Sequence, residues 1–374
     1  MADTVRYVRD PPRAAELVII GGGIVGAATA FHASRAGLRP VLLERRAALC
    51  TLTTPASTGA FRLQFDNREE LELVRESVDL LSNFSEITGQ TRYDPKLRRQ
   101  GYLWCTTDPG RAGWQRDLVR KQHMWGQSDV EHLDGDEVRR RFPYVSPAVL
   151  AARYRAGDGF LDPKGITLGF AASSGADVVT DCGVTGLRVE GVRLTSVGTN
   201  RGEISTGCAV IAAGPFSGDV ASLAGVELSM RTVRRHKMTM PEVPEVPQNA
   251  PMTIDDDTGA HWRPGLRGAF LLYTDPDEPP ARRRPAHRPR FCARAARSEK
   301  PDFRCAGGTV LARGVGARLG ELDPAGRTVH HDPRPPSAPR ADAGRGPLRQ
   351  HGLQRPRRDG KRGWQPDRCG HPDR

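Results

Sequence analysis

The alternation of apolar and polar positions between residues 17 and 44 predicts one strand–helix–strand unit. The apolar run Leu17–Ile20 has the length and composition of a buried parallel strand, and the glycine-rich segment 21–26 follows it directly. A helical pattern then runs from residue 24 to about residue 36 and stops at Gly37. Pro40–Leu43 is a second apolar run, which ends at the acidic Glu44. Two parallel strands joined by a helix are therefore expected.

The glycines of this unit have the spacing G-x-G-x-x-G between a strand and a helix, which favours a dinucleotide site over a purely structural turn. Gly21 permits the tight turn, Gly23 lets a pyrophosphate approach the backbone, and Gly26 lets the helix pack close to the strand. The helix directs its N-terminal amides and positive dipole end at the phosphates. Glu44 lies 18 residues after Gly26, near the expected position of an acid that accepts ribose hydroxyls. The contact candidates of the unit are Gly21, Gly23, Ile24, Val25, Gly26, Glu44 and Arg45.

Strand-like and helical patterns continue to alternate up to residue 273, as they do in α/β proteins. Helices are predicted at 68–84, from about 166, and at 217–223. Strands are predicted at 176–179, at 187–197 paired with 202–206, at 208–213 and at 270–273. Residues 53–62 are predicted to form a loop of small residues.

The net charge of +12 arises in the C-terminal segment of the chain. After Asp275 there are 23 basic and 11 acidic residues, which leaves 33 of each before that point. The same segment, 276–374, holds 15 of the 30 prolines and contains no Ile, Met, Tyr or Asn, so it lacks most residues that build strands and cores. We therefore expect a disordered tail. A basic nucleic-acid arm, an ordinary disordered extension and a reading-frame error are three explanations of its composition.

The residues of the tail favour the frame error, because arginine, proline, alanine and glycine have GC-rich codons and dominate this segment. The amino acid nearly fixes the second base of its codon. When the gene is read one nucleotide later, that base becomes the first base of the new codon, so the first base of each shifted codon is dictated by the residue. With allowed synonyms, residues 330–340 become TMTPDHRPLLG, and residues 341–368 continue as PTPVEGLYVNTGYSGHGVMESAGGS. The string D-x-x-P-x-x-G, a strand and G-x-x-G-H-G appear there in order. This order resembles the closing segment of the D-amino-acid oxidase and sarcosine oxidase family, which includes glycine oxidase-like enzymes.

Residues 53–62 extend the resemblance to the chain as it is written. The family has a loop rich in S-x-G after its second strand, along the flavin pyrophosphate and ring, whereas a nicotinamide dehydrogenase continues with further β–α units after the acid. A polar turn that caps the next helix is the alternative interpretation of this segment. The 208–213 strand and the turn after it resemble the family's second flavin-binding motif. The implied cofactor is FAD, with contacts at Ser57, Thr58, Gly59, Arg62, Val184, Ala213 and Gly214.

The resemblance also implies the fold, an α/β two-dinucleotide-fold flavoprotein with a discontinuous FAD-binding domain and an antiparallel-sheet substrate domain. Residues 17–85 and 155–225 are assigned to the FAD-binding domain. Residues 86–154 and 226–275 are assigned to the substrate domain, 1–16 to an N-terminal extension and 276–374 to the tail.

The family's chemistry is oxidation of a C–N bond in an amino acid or N-methyl amine, with hydride transfer to the flavin and then electrons to oxygen or a carrier. Arg62 is a candidate cation beside the flavin, and Arg263 a candidate partner for a substrate carboxylate. His236 and His261 lie where the family borders the flavin, although a solvated or core histidine is the commoner interpretation. Two alternatives remain open: a non-catalytic remnant that lacks G-x-x-G-H-G, and a nicotinamide-dependent dehydrogenase with a basic nucleic-acid arm.

The remaining composition predicts a cytoplasmic protein without a metal site. The seven cysteines are scattered, and no two have C-x-x-C spacing. No apolar stretch near the N-terminus has the length of a membrane span or the flanks of a secretory signal. The tail has only three Phe or Trp residues and no predicted helix or strand that would present its arginines, so we expect no specific nucleic-acid binding.

Overall fold

The computed structural model describes residues 4–233 and 236–273 of the 374-residue chain, without the side chain of His236. The tail, 276–374, lies outside the described residues, so its disorder and its reading frame stay predictions. The strands are β1 (Leu17–Ile20), β2 (Pro40–Leu43), β3 (Ala60–Phe61), β4 (Tyr102–Thr106), β5 (Glu131–Asp134), β6 (Ala151–Arg155), β7 (Gly159–Phe160), β8 (Asp177–Val179), β9 (Val184–Glu190), β10 (Arg193–Thr199), β11 (Gly202–Ser205), β12 (Ala209–Ile211), β13 (His236–Met240), β14 (Met252–Asp255), β15 (His261–Gly265) and β16 (Gly268–Tyr273). The helices are α1 (Ile24–Arg35), α2 (Thr53–Ala56), α3 (Arg68–Ser82), α4 (Phe84–Thr88), α5 (Pro109–Met124), α6 (Gly135–Arg141), α7 (Pro163–Ser174) and α8 (Ser217–Ser222).

A four-stranded parallel sheet in the order β12–β1–β2–β8 forms the first layer. Every residue of β1 and β2 is buried, which explains why these strands are continuous apolar runs rather than alternating ones. Helices α1 and α7 pack together on one face, with the rings of Phe31 and Phe170 5.2 Å apart. The strand–helix–strand unit predicted from the sequence is confirmed, and its helix ends at Arg35.

A seven-stranded sheet in the order β13–β16–β15–β14–β4–β6–β5 forms the second layer. The sequence predicted an antiparallel sheet, and this is correct for every neighbouring pair except β14 and β4, which run parallel. The exception arises because the chain leaves the sheet after β6, builds much of the parallel sheet, and returns beside β4 in the same direction. Interleaving of the two layers makes the first sheet discontinuous in sequence.

Three predicted elements differ in detail from the structure. The strand predicted at 187–197 is a hairpin, β9 and β10, because Gly191 adopts φ 61° and reverses the chain. Helix α7 begins at Pro163 rather than near residue 166, since the Asp162 carboxylate accepts the Lys164 N–H at 2.9 Å and caps it. The predicted loop 53–62 contains the one-turn helix α2 and the short strand β3, which pairs with β7.

The N-terminal extension packs along the edge of the parallel sheet. Val5 is buried in the core, and the Val8 N–H donates to the Val178 carbonyl at 3.0 Å. Farther along, the Ala15 N–H donates to the Ser205 carbonyl at 3.0 Å. The first of these hydrogen bonds joins the extension to β8 and the second joins it to β11. The extension therefore stabilises the fold.

Candidate functional site

A cavity of about 430 Å³ opens where β1 and β2 end and where the chain leaves β12. The carboxyl ends of parallel strands are where α/β sheets bind their ligands. Most of the cofactor contacts predicted from the sequence meet here. The walls comprise Ile20, Gly21, Gly22, Gly23, Ile24, Val25, Leu43, Glu44, Arg45, Cys50, Thr51, Leu52, Thr53, Thr54, Cys182, Gly183, Val184, Ala212, Ala213, Gly214, Pro215, Phe216, Asp219, Val220 and Leu223.

The three fingerprint glycines have different surroundings. Gly21 adopts φ +120°, and a Cβ there would lie 2.4 Å from the Ala212 carbonyl oxygen. A Cβ on Gly26 would lie 1.9 Å from the Gly21 carbonyl oxygen, so Gly26 is needed for helix–strand packing and lies off the cavity wall. A Cβ on Gly23 would meet only the Thr54 hydroxyl at 3.3 Å, so Gly23 presents bare backbone to the cavity. This is the arrangement that a bound pyrophosphate requires.

The N-terminus of α1 points its amides at the cavity and has no side-chain cap of its own. The Ile24 N–H donates to the hydroxyl of Thr54 at 3.2 Å. A helix N-terminus whose N-cap glycine supplies no side-chain cap, beside a hydroxyl that can still donate its own proton, favours a phosphate anion. Sequence reasoning missed Thr54 and its neighbours Thr51 and Thr53, although the run of hydroxyl residues after the second strand was a visible signal.

Glu44 and Arg45 form the wall that continues from β2. The Glu44 carboxylate accepts the N–H groups of Gly22 and Arg46, each at 2.8 Å, and so braces the glycine loop. Each carboxylate oxygen retains acceptor capacity for a ribose hydroxyl. The Arg45 guanidinium lies 3.9 Å from the centre of the Phe216 ring, which joins this wall to the segment after β12.

The predicted contacts from the S-x-G loop lie apart from the cavity walls described here. The Ser57 hydroxyl accepts the Gly59 N–H at 3.0 Å, and the Gly59 carbonyl accepts the Leu161 N–H at 2.9 Å. Gly59 adopts φ +70°, and a Cβ there would lie 2.3 Å from the Leu161 carbonyl oxygen. Ser57, Thr58 and Gly59 thus hold the loop against the chain at β7. Direct cofactor contact by these residues stays a prediction.

A cluster of cations lies where the same loop meets the seven-stranded sheet. Arg263 donates from Nε to the Thr58 carbonyl at 2.6 Å, and its guanidinium lies 4.6 and 4.7 Å from the ring centres of Phe160 and Phe270. Burial, with the nearby Arg98, lowers the pKa of Arg263 to about 10. Lys237, which sequence reasoning missed, donates to the Pro55 carbonyl at 3.3 Å. Burial lowers the pKa of Lys237, and the charges of Arg263 and Lys164 add to this effect.

Arg62 and the two predicted histidines also belong to the sheet region. Arg62 extends over the sheet, 5.5 Å from the centre of the Trp104 ring. His261 lies on β15, with Nδ1 3.0 Å from the Gly259 carbonyl oxygen. Burial lowers the pKa of His261, and Arg62 lowers it further, so the neutral imidazole is favoured at neutral pH. His236 opens β13, and its side chain lies outside the described part of the chain.

The cavity thiols are buried and unpaired. Cys50 and Cys182 line the walls as free thiols. Burial raises the pKa of Cys50, which disfavours the nucleophilic thiolate. Within residues 4–233 and 236–273, no three His, Cys, Asp or Glu side chains gather in a metal-binding group. Over the same residues, no helix combines the length and apolar character that a bilayer span requires.

FAD fits the side chains and backbone of the cavity. Gly23 leaves the backbone accessible to the pyrophosphate, and the amides of α1 face it. Glu44 and Val184 also line the cavity, and their contacts with the ribose hydroxyls and the adenine stay predictions. The Ala213–Gly214 turn closes the opposite side. These residues would hold the dinucleotide, and the adjoining loop leads toward the seven-stranded sheet.

Thr54→Val is expected to weaken FAD binding roughly 5- to 30-fold. The Thr54 hydroxyl accepts the Ile24 N–H, so its own proton is free to be donated to the pyrophosphate, and the substitution removes that donor. A flavin-fluorescence titration measures the dissociation constant. Thr29→Val is the matched control, since Thr29 lies on the same helix and its hydroxyl donates only to the Val25 carbonyl. Equal dissociation constants for the two variants would show that Thr54 plays no part in the site.

Comparisons with known proteins point to flavoenzymes. The chain is 30% identical over 273 residues to mitochondrial sarcosine dehydrogenase from Homo sapiens, which is 70% of this chain and 29% of that protein. It is 26% identical over 235 residues to sarcosine oxidase subunit beta from Arthrobacter sp, covering 60% and 56% of the two chains. Glycine oxidase from Bacillus cereus has a TM-score of 0.63 at 21% identity, covering 79% and 78%. L-proline dehydrogenase from P. horikoshii has a TM-score of 0.61 at 24% identity, covering 70% of each chain.

The structural matches confirm the predicted fold class, an α/β flavoprotein fold. The chain spans less than a third of the length of the sarcosine dehydrogenase that it matches. A family model described as FAD dependent oxidoreductase matches residues 16–334, so the match extends into the segment 276–374. Because this match covers most of the 374 residues, the chain belongs to the DAO family of FAD-dependent oxidoreductases, and FAD is its cofactor.

Proposed function

We propose that the chain oxidises the C–N bond of an amino acid or an N-methyl amine, with hydride transfer to FAD. The relatives named above act on sarcosine, glycine or proline according to their names. Family membership assigns FAD, so the nicotinamide-dehydrogenase alternative is wrong. The acceptor that we propose for the electrons is oxygen or an electron carrier.

The cation cluster beside the cofactor loop is the observation that carries this proposal. Thr53 and Thr54 line the cavity, and the next residues of the same loop contact Lys237 and Arg263 on the sheet. Among the described residues, two cations, Arg98 and Lys237, interact electrostatically with Arg263. Asp162 is the acid that favours the charged form of Arg263 in that part of the chain. Surplus positive charge of this kind favours an anionic substrate group.

The residues of the chain would bind and orient the substrate. Bound FAD supplies a hydride acceptor for the carbon next to the amine. Arg263 and Lys237 would hold a substrate carboxylate, which fixes the amine-bearing carbon in one orientation. Arg62 would add positive potential where negative charge develops during the reaction. We propose the domain limits at residues 85, 154 and 225; the second lies one residue before the end of β6, after which the chain leaves the seven-stranded sheet.

Anaerobic reduction of the bound flavin tests the proposed function. The full chain, reconstituted with FAD, is mixed with sarcosine, dimethylglycine, glycine, L-proline and D-amino acids in turn. We expect loss of the visible flavin absorption with at least one of them and its return when air is admitted or an electron carrier is added. If dithionite bleaches the bound flavin and none of the amines does, the chain is the non-catalytic remnant.

Arg263→Leu is expected to raise KM for an amino-acid substrate about 10- to 100-fold and to change kcat little, because a charge-assisted contact to the carboxylate is lost. Steady-state kinetics measure both constants. An amine without a carboxylate serves as the control substrate, since its KM should be unchanged if the loop stays in place. Arg267→Leu, an exposed arginine paired with Glu242, is the control variant. An equal rise in KM for both substrates would contradict the carboxylate role.

A further inference from the structure

One face of the seven-stranded sheet presents a row of polar and aromatic side chains. Directly paired residues of neighbouring strands share a face. His132 pairs with Arg153, Arg153 with Trp104, Trp104 with Ile254, and Ile254 with His261. The row therefore crosses five strands, and it continues on the face that carries Arg263, two residues beyond His261 on β15.

Arginines and tryptophans alternate at the β4–β6 end of this face. The guanidinium of Arg62 lies 5.5 Å from the centre of the Trp104 ring, and that of Arg153 lies 4.5 Å from the same ring. Arg153 is also 5.6 Å from the Trp114 ring, over which Arg111 lies at 3.9 Å. The rings separate the three guanidinium groups and favour their positive charge.

The donors of this cluster outnumber its acceptors. The Arg153 side chain is 2% exposed, yet its Nε and Nη1 groups donate to no acceptor among the described residues. The same is true of Arg62 Nε and Trp104 Nε1. Buried donors of native proteins are nearly always satisfied, and a buried charge without full pairing is costly. These donors therefore suit an acceptor that the described residues do not provide.

The acidic side chains nearby do not neutralise Arg153. Asp256 accepts from Arg111 at 2.8 Å and from the Gln115 amide at 2.7 Å. Asp66 lies 3.6 Å from Nη2 of Arg153, and its side chain is 58% exposed to water. Burial lowers the pKa of Arg153 to about 10, so the guanidinium is still charged at neutral pH. Among the described residues, no carboxylate therefore accepts a hydrogen bond from the Nε or Nη1 groups of Arg153.

We propose that Arg153, Arg62 and Trp104 bind a second carboxylate of the substrate, so that the enzyme acts on a dicarboxylic amino acid or its N-methyl derivative. This inference rests on the proposed function, in which Arg263 and Lys237 hold the first carboxylate. Trp104 and Arg263 are separated by two strand spacings and two residues, which places their Cα atoms about 12 Å apart.

Isothermal titration calorimetry with succinate tests this site on the full chain at constant ionic strength. We expect saturable binding of succinate and binding of acetate that is about tenfold weaker, because acetate reaches only one set of cations. Arg153→Met and Arg62→Met should each weaken succinate binding about tenfold or more. Arg62 is only half-buried, so its variant remains informative if the Arg153 variant folds poorly. Arg141→Met is the matched control, since Arg141 lies 4.8 Å from the Tyr154 ring but is paired with Glu131 at 2.7 Å.

Thermal unfolding supplies a second readout. Replacing a buried, underpaired charge by an apolar side chain should leave the melting temperature of Arg153→Met unchanged or raise it. A large fall in melting temperature with unaltered succinate binding would make Arg153 a structural residue and overturn the proposal. Tighter binding of inorganic phosphate than of succinate at this site would also overturn it. Flavin reduction by sarcosine without any succinate binding would refute this inference and leave the proposed function intact.

Discussion

The Gly26→Ala variant is expected to be unfolded or insoluble under conditions in which the parent chain is folded. The added methyl group would lie 1.9 Å from the Gly21 carbonyl oxygen and 3.1 Å from its carbonyl carbon. Both atoms belong to the backbone, so the overlap is relieved only if α1 moves away from β1. That movement would expose Ala27 and Phe31, which are fully buried. We expect a loss of about 4 kcal/mol or more from a margin that is typically about 5 to 15 kcal/mol.

Circular dichroism during thermal unfolding measures this effect, with Gly23→Ala as the control. Gly23 has φ −85° and ψ −174°, a backbone conformation that any residue adopts. The atom nearest to a Cβ added at this position is the Thr54 hydroxyl oxygen, at 3.3 Å. The control should therefore unfold within about 1 kcal/mol of the parent. Equal melting temperatures for the two variants would mean that α1 does not pack on β1 as described here.

Correction of the reading frame near the codons of Asp275 to Arg290 is expected to strengthen FAD binding at least about tenfold. Val25, Leu52 and Leu223 line the cavity and are 63%, 41% and 39% exposed. In the corrected frame, a segment with G-x-x-G-H-G would supply a helix start beside the flavin and apolar residues to cover this surface. Burial of each apolar side chain contributes about 1.5 to 3 kcal/mol at most, so covering even one gives a tenfold effect.

Flavin content and turnover of the two proteins decide the question of the reading frame. The corrected protein should be yellow after purification and should be bleached anaerobically by an N-methyl or D-amino acid. The chain as written should bind FAD weakly or be poorly soluble. If the written chain already binds FAD stoichiometrically and oxidises such an amine at the same rate, residues 276–374 are native and the frame-error hypothesis is wrong.

The glycine-rich unit could be predicted from the sequence because its determinants are local. The turn at Gly21, the uninterrupted helical pattern after it and the acid at Glu44 all lie within one short stretch. The same holds for the apolar strands, whose burial on both faces leaves a continuous apolar pattern. Helix α2 is a single turn, which is too short to show a helical periodicity in the sequence.

The missed residues depend on contacts between distant parts of the chain. Thr54 meets the Ile24 amide across a turn whose path is set by the tertiary fold. Lys237 lies on β13 and donates to the Pro55 carbonyl, although the two residues are 182 positions apart in the sequence. Arg153 is buried although arginine is usually exposed, and its contacts with the Trp104 and Trp114 rings form only in the folded chain. Propensity and periodicity cannot reveal contacts of this kind.

The flavin content of Gly23→Val tests most directly the central claim that FAD binds over the glycine loop. The variant is made in the frame-corrected protein and purified beside its parent, and visible absorption gives the flavin bound per chain. A Cβ at residue 23 meets no backbone atom within 4 Å, and the rest of the valine side chain would extend into the path of the pyrophosphate. We therefore predict about one FAD per parent chain and almost none in a variant that unfolds at nearly the same temperature. Undiminished flavin in a folded Gly23→Val protein would contradict the assignment.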